Sequence, residues 1–489
     1  MIEQPNAPGK GGAGESEGDD VLSVSVGSGT CTRAQRGATF PPQAALDERT
    51  ISGLVRPDSV HRRIYTDPEI FDREMANIWE KTWIYVGHES QVKAPGDYYA
   101  TRIGRQPVVM TRHKDGSVRV LCNRCAHKGA MVVPEGAGHA KVMRCCYHGW
   151  CFDTDGSCVS IPREEGYRGT PIGKGKPAAA MPAVARVASY RGFVFASLSP
   201  DVPPLEEWLG GARHSIDNMV ERAPEGELEI TGGVFRYVHE SNWKFFVENL
   251  NDMMHPMVAH QSSSRTARVV ANQELDADRP VPSAVEILSP FTNNYSFFDE
   301  MGVHAFAYGH SYSGGRVSIH SAYSEIPEYV AAMERAYGPE RTQEIFSIQR
   351  HNTVVYPSLT LKGAIQTIRV VRPVAVDRTI VESWVLRLKG APDELLKRSI
   401  LYCNLINSHA NLVGPDDEEA YWRQQNGLAC AGNDWVSMHR YPDAAQPDEE
   451  GGLSAIGSSD MVFRNQYRAW AYYMTGGHAV HGPMREPSR

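Results

Sequence analysis

No stretch of the sequence approaches the roughly 18 to 20 consecutive apolar residues that a membrane-spanning helix needs. The opening MIEQPNAPGKGG also lacks the charged-then-apolar layout of a secretion signal. Both absences predict a cytoplasmic protein with no membrane partner. Runs of lysine and arginine are missing too, because 58 acidic and 50 basic residues are scattered along the chain for a formal net charge of −8. Without clustered cations to neutralise phosphates, nucleic acid is not an expected partner. The nine cysteines do not spread as a disulfide framework does; six crowd between Cys122 and Cys158. Disulfide-stapled secreted proteins are short and distribute their cysteines throughout, so local crowding in a cytoplasmic chain points to metal. Nor is any repeat of fixed period visible.

What the chain does contain is enough apolar material to fold. At 489 residues, 41% of them hydrophobic and 22% charged, it exceeds one compact core and predicts two or three domains. Residues 1–45, rich in Gly, Ser, Asp and Pro, bury too little apolar surface to offset ordering entropy and are expected to be a disordered tail. A helix is predicted from the capping pair Asp67-Pro68, with Phe71, Met75, Ile78 and Trp79 on one face; it makes residues 46–82 an N-terminal element that docks on a core. Over 83–200, short apolar runs alternate with turn signals: PVVMTRH and VRVLC flank Lys114-Asp115-Gly116, and CFDT and SCVSI flank Asp155-Gly156. These are hairpins, and they describe a small antiparallel β domain. Beyond residue 200, helical patterns near 205–222, 388–410 and 462–474 mix with β-type segments such as AIQTIRVVRPVAV, which makes 201–489 an α+β domain.

The strongest signal lies inside the small β domain. Cys125-Ala126-His127 is followed, seventeen residues after His127, by Cys145-Cys146-Tyr147-His148, and each loop ends in a glycine, Gly129 or Gly149. Two loops offering one thiolate and one imidazole each suit a cluster in which two cysteines hold one iron and two histidines the other. Glycine lets the backbone approach such a cluster closely at positive φ. A structural zinc site uses the same ligand types, but zinc sites usually carry a tight pair at each end. The segment resembles the Rieske domain of the aromatic ring-hydroxylating oxygenases, whose pattern is Cys-x-His, sixteen or seventeen residues, then Cys-x-x-His followed by Gly-Trp. Respiratory Rieske proteins carry an extra cysteine after each cluster loop; Ala130 and Tyr147 stand at those places here, which favours the oxygenase branch. Cys122 and Cys146 are read as packed or free thiols.

A second set of candidates follows. In the predicted helix over 242–255, Asp252 and His255 lie three residues apart on one face, and Pro256 is expected to break the helix just after. The break would swing His260, otherwise about 140° around the wheel, toward the same metal. Two histidines and a carboxylate form the facial triad of non-haem iron oxygenases. Within the acidic run Asp416-Asp417-Glu418-Glu419, the resemblance to the family selects Asp417, seven positions before the paired Gln424-Gln425. An acidic run is otherwise a solvated helix start.

The resemblance covers about 55–475 and implies the remaining expectations. Cys125, His127, Cys145 and His148 would bind a Rieske 2Fe-2S cluster. A mononuclear Fe(II) would sit on His255, His260 and Asp417. Asn249 would stand near that iron, and Asp252 would hydrogen-bond His255 and reach His148 of a neighbouring subunit. The fold implied is a small β Rieske domain inserted before a larger catalytic domain with a central antiparallel sheet of helix-grip type. The activity implied is oxygen-dependent hydroxylation of an aromatic ring, with electrons from a ferredoxin or flavin reductase. A small β subunit in an α3β3 assembly, or else a homotrimer, completes the expectation. Segments such as HANLVGPDD resemble the benzoate and salicylate branch, for which Arg369 or Arg372 could hold a substrate carboxylate. A Rieske electron carrier without oxygenase activity is the competing reading. It leaves the second set of residues without a role.

Overall fold

The computed structural model describes residues 46–272, 282–319, 326–409, 411 and 413–476. The tail expected over 1–45 lies outside the described residues. No helix among the described residues is long and apolar enough to cross a membrane.

Asp67 caps the helix Pro68–Glu74, its side chain accepting from the Glu69 N–H with proline in the first turn. The helix then widens into a π-turn over Met75–Trp79, and Phe71, Met75, Ile78 and Trp79 are all buried. The chain next builds small antiparallel sheets. One has the strand order Val118–Cys122, Gln106–Arg112, Asp97–Ile103, Gly136–His139; a second joins Met143–Arg144, Cys151–Phe152 and Cys158–Ser160. The predicted turns close both hairpins, with Gly116 at φ +83° and Gly156 at φ +89°. In each, the preceding aspartate accepts from the N–H two residues on, Ser117 or Ser157, at 2.9 Å.

Gly156 is constrained twice over. Its carbonyl accepts from the Met181 N–H at 2.8 Å, and a Cβ at this position would lie 2.2 Å from the Met181 carbonyl oxygen. Gly156→Val therefore combines a disfavoured φ with a backbone collision. It is expected to cost at least about 2 kcal/mol, read as a lowered midpoint in thermal unfolding followed by circular dichroism.

The two ends of the 83–200 segment form a sheet of their own, in the order Arg186–Tyr190, Phe193–Ser197, Ile84–His88. Its Trp83, Tyr85, Phe193 and Phe195 share a core with Leu205, Trp208 and Leu209 of the following segment. Beyond it runs a nine-stranded antiparallel sheet, ordered Leu228–His239, Arg378–Leu388, Thr367–Ala375, Leu359–Lys362, Gln349–Val355, Ser311–Gly315, Val303–Ala305, Leu453–Ala455, Gln446–Pro447. The central strands Gln349–Val355 and Leu359–Lys362 are buried at every position, so they show no polar alternation. The helices Arg213–Glu221 and Asp393–Ile406 pack against this sheet through Ile216, Met219, Val220 and Leu395. The closing helix Met461–Met474 packs through Tyr467 and Trp470 against Phe245 and Tyr356. The architecture is the expected α+β arrangement, with the small β domain ahead of a larger one built on a central antiparallel sheet.

Candidate metal centres

Cys125 and Cys145 lie buried in the core of the small β domain, beside Val109, Met143 and Phe152. Their loops are built alike. Gly129 N–H donates to the Cys125 carbonyl and Gly149 N–H to the Cys145 carbonyl, while Cys125 N–H donates to Ala130 O and Cys145 N–H to Trp150 O. Gly129 and Gly149 both adopt positive φ, +79° and +73°. Burial raises the Cys125 thiol above its usual pKa, and Cys145 beside it adds to the shift. A cation between the two sulfurs reverses that balance.

The imidazoles complete the set. The His127 and His148 ring centroids are 4.4 Å apart. Trp150 stacks flat on His127 at 5.0 Å, and the Tyr167 hydroxyl sits 3.3 Å from His127 Nε2. That leaves His127 Nδ1, a buried nitrogen with no hydrogen-bond partner, as the atom available to iron. His148 is exposed, with the exposed Tyr147 ring 3.7 Å from it by centroids. One of the two imidazoles thus lies at the surface. Cys122 is half-buried and Cys146 exposed.

The second centre forms where three helices meet. The helix Trp243–Asn249 is capped by Asn242, whose side chain accepts from Lys244 N–H. It stops at Asn249, earlier than predicted. Asp252 and His255 therefore do not share a helix face, and Pro256 does not break a helix but opens the next one, Pro256–Ala259. The physical reason is Asp252 itself. Its Oδ1 accepts from the backbone N–H of Met254 at 2.7 Å and of His255 at 3.3 Å, a turn that competes with helix. The expected hydrogen bond between Asp252 and His255 is therefore made through the backbone N–H, and His255 Nδ1 is buried with no hydrogen-bond partner among the described residues.

The turn nevertheless delivers His255 and His260 to one place. One ligand atom each from His255, His260 and Asp417 lie within 4.8 Å of one another, which fits one metal ion. Asp417 Oδ1 is 3.6 Å from His255 Nε2 and 3.4 Å from His260 Nε2. Asn249 Nδ2 lies between them, donating to Asp417 Oδ1 at 3.0 Å and sitting 3.2 Å from His255 Nε2. Burial lowers the pKa of His260, which keeps it the neutral imidazole that a metal requires.

Each acid of the run at the start of the helix Val413–Gly427 has its own partner. Asp416 meets His260 Nδ1 at 3.4 Å, Glu418 meets His409 at 2.7 Å, and Glu419 pairs with Arg423 at 2.7 Å. Only Asp417 faces both histidines through Nε2. Gln425 explains the spacing: its Oε1 accepts from Asn242 N–H at 2.9 Å, which ties this helix to the one carrying Asn249.

The two candidate arginines part company. Arg372 is bound to Glu382 at 3.0 Å and donates to the Arg102 carbonyl, so it is not available to a ligand. Arg369 is buried and donates to the neutral amide of Asn352 at 2.8 Å.

Sequence reasoning missed Glu248, which lines the same cleft as Asn249, Asp252, His255 and Asp417. Tyr65 donates to it at 3.0 Å, and Tyr467 donates to it as well. Burial raises its pKa from 4.5 to about 7. A raised carboxyl keeps its proton in the folded chain while the unfolded chain has lost it, so stability is full below about pH 4.5 and declines as the pH rises through 7. In metal-free protein, Glu248→Gln should remove from the pH 5 to 8 stability difference an amount on the order of 2 to 3 kcal/mol, measured by urea unfolding.

Comparison with known proteins agrees with both centres. Residues 82–190 match the Rieske [2Fe-2S] domain family, and residues 205–458 match the ring hydroxylating alpha subunit catalytic domain. The chain is 33% identical to the toluate 1,2-dioxygenase alpha subunit of Pseudomonas putida, over 84% of this chain and 90% of that one. It is 30% identical to the 2-halobenzoate 1,2-dioxygenase large subunit of Burkholderia cepacia, over 87% and 93%. A solved naphthalene 1,2-dioxygenase with indole in its active site superposes with a TM-score of 0.72 at 25% identity, covering 87% of this chain and 93% of that one. A cluster domain and an oxygenase domain in one polypeptide rule out a bare electron carrier: the chain belongs to the Rieske aromatic ring-hydroxylating oxygenases, as an alpha subunit, with a Rieske 2Fe-2S cluster and a mononuclear iron as its cofactors.

Proposed function

We propose that this chain is the terminal oxygenase of a multicomponent system that hydroxylates an aromatic carboxylic acid. Cys125, His127, Cys145 and His148 would hold the cluster, and His255, His260 and Asp417 the iron. The observation that carries the reading is the convergence of two imidazole Nε2 atoms and one carboxylate oxygen beneath the Asn249 amide. When bound, the cluster supplies electrons singly and the iron activates dioxygen. The chain's own residues then do the positioning. Asp252 fixes the turn that presents His255, and Asp416 orients His260 from its far nitrogen. Phe291 closes against the His260 ring edge-on at 5.8 Å and keeps water from that side.

Aromatic acids are favoured because the toluate, 2-halobenzoate and anthranilate enzymes are among the relatives. A ferredoxin or flavin reductase would donate electrons to the exposed His148 edge of the cluster. The words alpha and large in the relatives' names favour a small β subunit in an α3β3 assembly, with a homotrimer as the other arrangement. The location proposed is the cytoplasm, in keeping with the lack of a disulfide among the described residues. The test is reconstitution: purified protein with about three irons per chain, chemically reduced and exposed to oxygen, should convert aromatic acids to hydroxylated or cis-dihydrodiol products. A preparation that holds both metals and yields no product from any aromatic acid would overturn the reading.

A further inference from the structure

Two lysines are buried in the folded chain to an unusual degree, and they are treated differently. Lys244, fully buried, has the Glu74 carboxylate at 2.6 Å. Lys362, 4% exposed, has only the Tyr402 hydroxyl at 3.0 Å and the Tyr402 ring face at 5.3 Å. Among the described residues no carboxylate lies within ion-pair distance of it. Arg369 is in the same position, with one neutral amide, Asn352, and the face of Phe246 at 5.2 Å as its partners. In the strand register Lys362 stands opposite Thr367 and Arg369 opposite Thr360. The two cations are therefore diagonal neighbours on one face of the sheet, roughly 7 to 8 Å apart at their Cα atoms. Other cations are satisfied: the half-buried Arg372 by Glu382, and the buried Arg222 by the Ile345 and Ile348 carbonyls.

Burying an uncompensated cation is costly, and two side by side more so. Burial holds the Lys362 pKa well below the lysine range, and the Arg369 charge lowers it further, while the nearby Asp417 opposes both. An apolar cluster spans the interval: Tyr402 packs with Ile287, Phe291, Ile406 and Val413, and Phe291 touches His260. A contiguous apolar cluster thus runs from Phe291, at the His260 ring, to a pair of buried basic side chains that have no acid beside them among the described residues.

Resting on the reading given under Proposed function, we propose that Lys362, backed by Tyr402 and Arg369, receives the carboxylate of the aromatic substrate and sets the preference for acids over neutral rings. An arriving carboxylate would supply the missing anion, and its ring would lie along the apolar wall.

The test compares benzoate, 4-methylbenzoate and 2-aminobenzoate, each with its methyl ester, on holoenzyme reduced with dithionite and run for one turnover in oxygen. Calorimetry of benzoate binding serves as a readout independent of turnover. Lys362→Met is expected to weaken benzoate binding and to lower the acid-to-ester product ratio by about 10- to 100-fold each, the effect of losing a charge-assisted hydrogen bond. Lys362→Arg should restore part of both. An acid-to-ester ratio that does not change in Lys362→Met overturns the proposal, and so does wild-type protein that fails to bind benzoate. Should Lys362→Met lose its iron or cluster, Arg369→Met is read by the same ratio, and no change there overturns it equally. If wild-type protein binds benzoate through Lys362 yet forms no product from any ring, the anion site stands and the oxygenase reading falls.

Discussion

Replacing both His255 and His260 with alanine is expected to leave about two irons per chain of an original three, with the visible spectrum of the cluster intact and product formation down at least a thousandfold. The separation of effects follows from the placement of the residues. The four residues proposed for the cluster sit in the small β domain, and among the described residues of the chain none of their hydrogen bonds reaches the turn at 250–260. Removing both imidazoles leaves Asp417 and the Asn249 amide, one anionic oxygen and a donor that cannot ligate. Dioxygen does not attack an aromatic ring at a useful rate without electrons from a reduced metal, so losing the iron should remove the reaction, and a thousandfold fall corresponds to about 4 kcal/mol at 1.36 kcal/mol per factor of ten. Asp416→Asn should be milder. It removes only the carboxylate behind His260 Nδ1, for which a loss of about 10- to 100-fold in iron affinity is the usual size. Iron analysis of the two proteins separates ligand from orienting group; equal iron in the double variant and the parent would show that these histidines are not ligands.

What could be read from the sequence was set by short-range chemistry. The hairpin turns at Asp115-Gly116 and Asp155-Gly156 follow from aspartate side chains bonding their own backbone and from glycine's access to positive φ, both local properties. The candidate cluster residues stood out because each loop supplies a complete thiolate and imidazole pair. The candidate iron histidines stood out as residue types, but their geometry did not, because periodicity cannot foresee a side chain that outcompetes the helix. Asp252 does that by taking the N–H groups of Met254 and His255. Selecting Asp417 from four consecutive acids required a resemblance, since all four share one helix turn and only distances to His255 and His260 separate them. Glu248 was hidden for another reason. Its two tyrosine partners lie 183 and 219 residues away in sequence, and no local pattern announces contacts of that range. Lys362 and Arg372 look alike in the sequence, as cations in β-type segments. Only the fold shows Arg372 bound to Glu382 and Lys362 with no acid beside it among the described residues.

Glu74→Ala is expected to destabilise the protein by about 3 to 5 kcal/mol, seen as a fall in the urea midpoint. Glu74 is the last residue of the helix Pro68–Glu74 and is fully buried. Its carboxylate accepts from Lys244 Nζ at 2.6 Å, Trp243 Nε1 at 2.9 Å and Trp470 Nε1 at 2.6 Å. One side chain thus joins the N-terminal helix, the helix that carries Asn249 and the closing helix. Truncating it strands a buried ammonium and two indole N–H groups, and the stranded groups, more than the lost attraction, set the size of the effect. Replacing both charges, as Glu74→Leu with Lys244→Met, should recover a large share of the stability because no ion is then left unpaired. The indoles would still lack acceptors, so recovery should stay incomplete. Iron content should follow the same order. Asn249 lies one and a half turns along the helix from Lys244, and loosening that helix loosens the amide that bridges Asp417 and His255. A Glu74→Ala protein within about 1 kcal/mol of the parent would instead mean that water reaches Lys244, and that the three helices are held by their apolar contacts alone.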